Sequence, residues 1–289
     1  MKFADVKNDI AFRKIFGNEN RKDVLMSFLN AILEFEGNRR ITDVTILNPF
    51  QLSKFRDGKA TVIDVKARDQ AGREYIIEMQ VAEVWGFSKR VLYYTSQSYV
   101  GQIERGEFYE KLNPAIFIGI LEFEMTQNGN YISRHQIREV ETGERIFEDM
   151  EFNLIELPKF KKQLSELNTP AERWIYFIKE AENLEVIPAN LDDPALKKAY
   201  EEANTRTWSK AELDAYDYAS MREQDERGKI ELAERRAEEK GLKLGEEKGL
   251  KLGEEKSKLQ IARQMKADGL PADTISKYTG LSLTEINDL

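Results

Sequence analysis

Cysteine is absent from the 289-residue chain, and histidine occurs once, as His135. Without cysteine there is no disulfide framework, zinc finger, iron–sulfur centre or cysteine nucleophile. A single histidine cannot build a multi-histidine metal site, and any Ser-His-Asp triad would have to run through it. His135 lies in the polar run Ser133 to Gln136, which reads as exposed surface. Long apolar runs are also missing. The longest, Ala115 to Leu121, falls far short of the ~20 residues that span a bilayer. Residues 1–15 carry Lys2, Lys7, Arg13 and Lys14 without a continuous apolar stretch, so no signal peptide is read there. The expectation is a soluble cytoplasmic protein with no membrane association. Neither GxxxxGK[ST] nor GxGxxG occurs, which removes support for ATP or dinucleotide binding. Lys+Arg 44 against Asp+Glu 52 leaves a net charge of −8, so a global basic field for nucleic acid is absent. A local basic groove remains compatible with that total.

Charge itself is plentiful. Charged residues make up 33% of the chain, against about 25% in an average globular protein. Much of the excess sits between Met221 and Lys258, where eleven Lys/Arg and eleven Asp/Glu cancel. Within this stretch Gly241 to Lys248 is repeated without change at 249–256, placing a glycine every four residues. A glycine in a helix interior costs ~1 kcal/mol relative to alanine. Leu242 and Leu250 stand eight apart, which drifts ~80° around a helix and breaks a heptad seam. The pattern reads as a solvated helical spacer, with a homo-oligomerisation helix as the alternative.

Upstream, the periodicities are mixed. Asn8–Phe16 and Asn20–Leu33 read as helices, the second with an apolar stripe of Val24, Leu25, Phe28, Leu29, Ile32 and Leu33. Strand patterns follow at 43–48, 61–68 and 75–81. Ser88–Arg105 reads as a helix with Val91, Leu92, Thr95, Tyr99 and Ile103 as its buried face. The near-continuous apolar run 115–123 suits a strand buried on both faces. Further strands are expected at 131–141 and 151–157. Together these imply a mixed α/β layer fold. From Lys159 the pattern turns helical. Trp174, Tyr176, Phe177 and Ile178 read as helix core rather than a base-stacking platform, because only Arg173 and Lys179 interleave them. Three short helical segments close the chain, ending near Gly269, over 271–278 and over 283–289, in helix-turn-helix-like spacing. The would-be recognition helix carries Glu285 and Asp288 and no Lys or Arg, poor chemistry for phosphates or guanine edges. It reads as a small interaction or capping module.

The hairpin formed by 61–68 and 75–81 carries the chemistry. Period two puts Asp64, Lys66 and Arg68 on one sheet face, and Glu78 with Gln80 on one face of the neighbouring strand. The segment Asp69 to Arg73 fits a three-residue loop, Gln70-Ala-Gly72, with Gly72 in the left-handed region. That closure sets Asp64 opposite Glu78, with Cβ atoms about 4.5–5.5 Å apart. Two carboxylates so placed repel. A single acid on a half-buried hairpin is ordinary, whereas this like-charge opposition suits a divalent cation. Mg²⁺ prefers one or two carboxylates plus waters and phosphate oxygens. Such a pair could activate a water against a phosphodiester, with Gln80 orienting the water. Residues 51–90 hold eight basic and six acidic residues, among them Lys54, Arg56, Lys59, Arg73, Lys89 and Arg90, a mildly cationic stretch for phosphate approach.

The residues Ile63 to Ala67 followed by Ile77-Glu-Met-Gln80 resemble the acidic core of the PD-(D/E)xK nuclease superfamily in its D…ExQ form. More of the chain resembles the bacterial recombination-promoting nuclease and transposase family in particular. The similar stretches are Lys7 to Gly17, then Arg90 to Tyr94 with Tyr99, Gln102, Gly106 and Tyr109. Glu156 to Phe160 and the charged glycine-spaced helix follow in order. The resemblance covers most of residues 5–260. It implies a restriction-endonuclease-like core, a mixed sheet flanked by helices, with an all-α charged C-terminal extension. It implies a Mg²⁺-dependent DNA endonuclease (Mn²⁺ or Ca²⁺ being other candidate ions) with Asp64, Glu78 and the Met79 carbonyl as metal ligands. Asp9 is a candidate further ligand, or simply a helix-start acid favoured by the dipole. Gln80 stands where the superfamily more often has its catalytic lysine, and glutamine carries neither proton nor charge. Transition-state charge then falls to Lys66, Arg68 or the metal, and Arg68 and Arg90 are candidate DNA-phosphate contacts. The expected division is a nuclease-like domain at 1–158, a helical extension at 159–220, the charged repeat helix at 221–258 and a helix-turn-helix-like module at 259–289. The alternative function is a DNA- or protein-binding module whose nuclease site has decayed, acting through its C-terminal helices.

Overall fold

A computed structural model describes residues 1–51, 61–189 and 191–289. The expected basic residues Lys54, Arg56 and Lys59 lie outside the described residues. Helices α1 (Asp9–Phe16) and α2 (Lys22–Leu33) open the chain. The Asn8 side chain caps α1 by accepting from the Ile10 and Ala11 amides, which satisfies N–H groups that have no intrahelical partner. All six residues of the expected α2 stripe are buried. Strands β1 (Val44–Leu47), β2 (Phe50–Gln51), β3 (Thr61–Val62), β4 (Val65–Asp69) and β5 (Glu74–Gln80) follow. Then come α3 (Phe87–Val100), β6 (Ala115–Leu121), β7 (Ile132–Gln136) and β8 (Met150–Glu156).

Six strands form one mixed sheet in the order β1-β4-β5-β6-β8-β7, while β2 and β3 pair separately. The pairs β1/β4, β4/β5 and β7/β8 are antiparallel, and β5/β6 and β6/β8 are parallel. Every residue of β6 is buried, as expected for a central parallel strand covered on both faces. Ile116, Ile118 and Ile120 join a large core with α1, α2 and the later helices α4 (Pro170–Glu180) and α5 (Pro194–Ala203). Ala115, Phe117 and Leu121 pack on the other face against Phe87 and Val91 of α3.

Three expectations are revised. The strand at 61–68 is broken at Ile63-Asp64 into β3 and β4. The strand expected at 131–141 stops at Gln136, where Arg138 to Glu144 curl into a turn with Gly143 at φ 73°. The buried face of α3 is Phe87, Val91, Thr95 and Ser98, while Leu92 is exposed. Residues three and four apart share a helix face, which excludes Leu92 once Val91 points inward.

Residues 159–220 pack into the same core as the sheet. Trp174 lies 5.8 Å, centroid to centroid, from both Phe16 and Phe28, and Phe177 lies 4.6 Å from Tyr200. The first compact unit accordingly runs from Met1 to Glu223, and the second from Gln224 to Leu289. Within the first, Trp208 packs on Ala4 and Ala11, Lys14 pairs with Glu212 at 2.5 Å, and Asn8 donates to Ser220 at 3.1 Å. These contacts hold the start of α1 in place. Helix α6 (Lys210–Ala267) has 58 residues and only Ala262 fully buried. Cβ atoms on Gly241, Gly245, Gly249 and Gly253 would meet none of the described residues within 4 Å. In the second unit Ala262, Ile275 and Ile286 form the core shared by the end of α6, α7 (Ala272–Thr279) and α8 (Leu283–Asn287).

Candidate active site

The hairpin closes as the loop chemistry requires. Asp69 N–H donates to Arg73 O at 3.0 Å, Gly72 adopts φ 85°, and Val65 pairs with Ile77. A Cβ on Gly72 would sit 2.6 Å from Asn113 Oδ1, a second reason for glycine there. Continued one step, this register would hydrogen-bond Ile63 to Met79. Instead the chain bends at Asp64. Ile63 N–H goes to Pro49 O at 3.1 Å, and the Asp64 carboxylate takes the Met79 N–H at 2.9 Å. Met79 N–H and C=O point toward β4, because Glu74 and Gln80 make their backbone bonds toward β6 through Pro114 O and Glu122 N–H. The bend therefore deprives the Met79 carbonyl of its ladder donor and leaves it beside Asp64.

Asp64 is nearly buried, and its other oxygen accepts from Arg13 Nη2 at 2.9 Å. Arg13 projects from α1, and its side chain is 42% exposed. Glu78 is also buried, and its Oε1 has no hydrogen-bond partner among the described residues. Burial first, and the Asp64 charge second, push the Glu78 carboxyl up to about 8. The Arg90 guanidinium, the Asp64 amide and Arg13 oppose that rise. Gly119 pairs with Glu78 in the parallel register, and a Cβ there would come within 2.9 Å of the Phe117 ring. Glycine at 119 thus lets the Phe117 and Leu154 side chains occupy that space beside β5.

Gln80 lies on the Glu78 face. Its Oε1 accepts from Arg90 Nη2, and its Nε2 donates to Ala82 O at 2.7 Å. Arg90 stacks over the Phe87 and Tyr94 rings at 5.2 and 5.8 Å. Burial, followed by the Glu78 charge, raises the Tyr94 hydroxyl, which brings α3 into the electrostatics of the carboxylate pair.

The other nominated residues sit elsewhere. Lys66 pairs with Glu74 at 3.0 Å, and Arg68 pairs with the same carboxylate at 2.6 Å. Arg68 is four residues from Asp64 along the strand, about 13 Å at 3.3 Å per residue. Both cations thus neutralise buried Glu74. Arg73, at the far end of the hairpin, binds Asp69 at 2.6 Å. Asp9 is exposed at the first turn of α1. Among the described residues no group of three or more Asp, Glu or His side chains converges. One helical turn on, Arg13 takes the position facing Asp64. Arg13 was legible only as part of the Lys7–Gly17 motif. Its partner lies 51 residues away.

The donor set fits a hard divalent cation. Two carboxylates, one with an orphaned oxygen, and a carbonyl turned toward them are all oxygen ligands of the kind Mg²⁺, Mn²⁺ or Ca²⁺ prefers. Residues 6–233 match the family described as PD-(D/E)XK nuclease family transposase.

The chain belongs to this family.

Residues 255–289 match the C-terminal HTH domain of the Rpn/YhgA-like nuclease family. No curated protein and no solved structure matches the chain. Membership among the PD-(D/E)XK nuclease family transposases implies nuclease activity, in a superfamily that generally uses divalent metal ions, and the two matched domains imply DNA binding. The mixed six-stranded sheet with flanking helices is consistent with a PD-(D/E)XK fold. No helix among the described residues is long and apolar enough to cross a membrane.

Proposed function

We propose that this PD-(D/E)XK nuclease family transposase is a Mg²⁺-dependent DNA endonuclease that acts in the cytoplasm in recombination or the movement of mobile elements. The observation that carries this reading is the buried Asp64–Glu78 pair with the unpartnered Glu78 Oε1. A buried carboxylate left unpaired is relieved either by a proton, as the raised Glu78 carboxyl reflects, or by a bound cation. Asp64, Glu78 and the Met79 carbonyl would hold the ion. When bound, a divalent cation supplies a lowered pKa for water and polarisation of a phosphodiester oxygen.

The chain's own residues do the rest. Arg13 and the Met79 amide fix the Asp64 carboxylate by one bond to each oxygen. Gln80 holds Arg90 beside Glu78, and a fixed guanidinium in a partly dry site stabilises charge developing on a phosphate. Charge stabilisation is therefore assigned to Arg90 and Arg13 in place of Lys66, with Arg68 remote from the chemistry. Gln80 acts as a positioning residue.

A second reading, a DNA- or protein-binding module with a decayed nuclease site, draws on the committed state of Lys66 and of both ends of the Gln80 amide. Supercoiled plasmid incubated with Mg²⁺, with Mn²⁺ or with EDTA separates the two, with Asp64→Ala as control. Metal-dependent nicking abolished by Asp64→Ala supports the nuclease. Nicking that survives the substitution sinks the site assignment. DNA retention in a gel shift without cleavage under either metal supports the decayed site.

A further inference from the structure

Next to the carboxylate pair, the loop before α3 and its first two turns enclose a surface groove of about 520 Å³. Its lining includes Trp85, Phe87, Lys89, Arg90, Tyr93 and Tyr94. Trp85 is wholly exposed, at 105% of its reference area, whereas the other two tryptophans, Trp174 and Trp208, are buried. Tyr93 follows at 36% exposure, with its hydroxyl accepting from Gln97 at 3.0 Å. Lys89 is exposed between them. Arg90 links the groove to the site, touching the Phe87 and Tyr94 rings on one side and Gln80 of β5 on the other. A single exposed aromatic is ordinary. Here one stands with further rings and two cations, and Arg90 joins them to Gln80 on the strand of Glu78. Glu83 is the one acid in the run from Ala82 to Tyr94, against Lys89 and Arg90 in the first turns of α3, so the run is net cationic by one charge.

We propose that this groove stacks an unpaired nucleobase of the DNA strand, with Trp85 as the platform and Lys89 on the flanking phosphate. This rests on the nuclease reading and adds a substrate class to it: single-stranded, flapped or locally unpaired DNA. A base inside a duplex has both faces covered by its neighbours, so only an unpaired base can offer a face to the indole. Stacking on an aromatic side chain is tolerant of sequence and is worth roughly tenfold or more in affinity per base. A cation beside the ring then adds to the phosphate attraction. Lysine is depleted at protein–protein contacts, and the exposed Lys89 beside the ring suits a phosphate better.

The test uses the full chain in EDTA, so that cleavage plays no part. Trp85 is the tryptophan open to contact quenching, the other two being buried, and binding is followed by anisotropy of labelled oligonucleotides. The expected result is quenching by a single-stranded oligonucleotide and little by a blunt duplex of the same sequence. Trp85→Ala should weaken single-strand affinity about tenfold and leave duplex affinity unchanged, while Trp85→Phe keeps most of it. Because Trp85 is wholly exposed, both variants should fold as the parent does. Equal single-strand affinity of Trp85→Ala and the parent overturns the proposal. So does an emission change that follows protein concentration and ignores DNA, which would mark a protein-binding face. If the plasmid assay shows no cleavage while the Trp85 effect persists, the nuclease reading fails and the stacking site stands.

Discussion

Whether Lys66 belongs to the chemistry or to the fold can be decided through its partner, Glu74. Glu74 is 2% exposed and accepts from Lys66 at 3.0 Å, Arg68 at 2.6 Å and Ser98 at 2.5 Å. Burial pushes its carboxyl up, but Lys66, Ser98 and Arg68 together hold it below the ordinary range. Glu74→Gln leaves the Lys66 ammonium, 13% exposed, against a neutral amide. Removing one partner of a buried pair costs about 3–5 kcal/mol. Arg68 is 47% exposed and screened by solvent, so it adds little. Lys66→Met removes the opposite partner but leaves Glu74 with Arg68 and Ser98, costing about 1–3 kcal/mol. The double variant should lie near the worse single variant, giving a coupling close to the cost of the lesser one, about 1–3 kcal/mol. Urea unfolding of the full chain at pH 7, read by circular dichroism and tryptophan emission, measures the cycle. A coupling below about 0.5 kcal/mol, the additivity limit for independent sites, would refute the ion-pair role. The same Lys66→Met protein, assayed on plasmid while folded, should keep its cleavage rate. Loss of cleavage with stability intact would return Lys66 to the catalytic centre.

Glu78→Gln removes the like-charge opposition and should stabilise the metal-free chain by about 1–3 kcal/mol, a rise of roughly 2–10 °C in melting temperature. Added Mg²⁺ should stabilise the parent and leave the variant unmoved, and a lower melting temperature for the variant in EDTA counts against the pair. Glu172 accepts from Lys162, Tyr131 and the Asn168 and Thr169 amides. Its carboxyl is accordingly held down at about 2, against the pull of burial. A depressed carboxylate contributes stability above its unfolded pKa and loses it as pH falls toward the folded value. Glu172→Gln should therefore flatten the acid side of the melting curve between about pH 4.5 and 2, and a curve parallel to the parent's refutes this. Ile286→Ala removes a third of a three-residue core at a cost of about 2–5 kcal/mol. Limited proteolysis should then trim the chain after Ala267 while residues 1–223 survive, and unchanged resistance beyond 267 would show that the C-terminal module is held otherwise.

Much of the site was legible because its determinants are local. Loop length and one left-handed glycine set the register of β4 and β5, and period two set which residues share a face. The resemblance in the D…ExQ run singled out Asp64, Glu78 and Gln80. Local rules had no purchase on the bend at Asp64. A strand pattern read along 61–68 cannot know that Pro49, far behind in the chain, takes the Ile63 amide. The partners of Lys66 and Arg68 were missed for a related reason. Glu74 shares their face across the ladder, and charge neutralisation of a buried acid outweighs availability to a ligand. The domain boundary expected at 158 rested on a change of periodicity, yet the apolar faces of α4 and α5 had to be covered, and the α1–α2 aromatics cover them.

Composition and spacing alone excluded thiol, multi-histidine and nucleotide-loop chemistry, and they specified an acidic hairpin, a doubly buried strand and a charged repeat helix. Those properties depend on residue identity and on steps of two to four residues, which a chain carries before it folds. Contacts between distant segments decided the rest. They turned Arg13 onto Asp64, left Glu78 Oε1 dry, committed Lys66 and Arg68 to Glu74, and joined residues 159–220 to the sheet. Desolvation is the physical reason for the division. Only when α1, α3 and β6 close around the hairpin does burial make two ordinary carboxylates into a pair that calls for a cation.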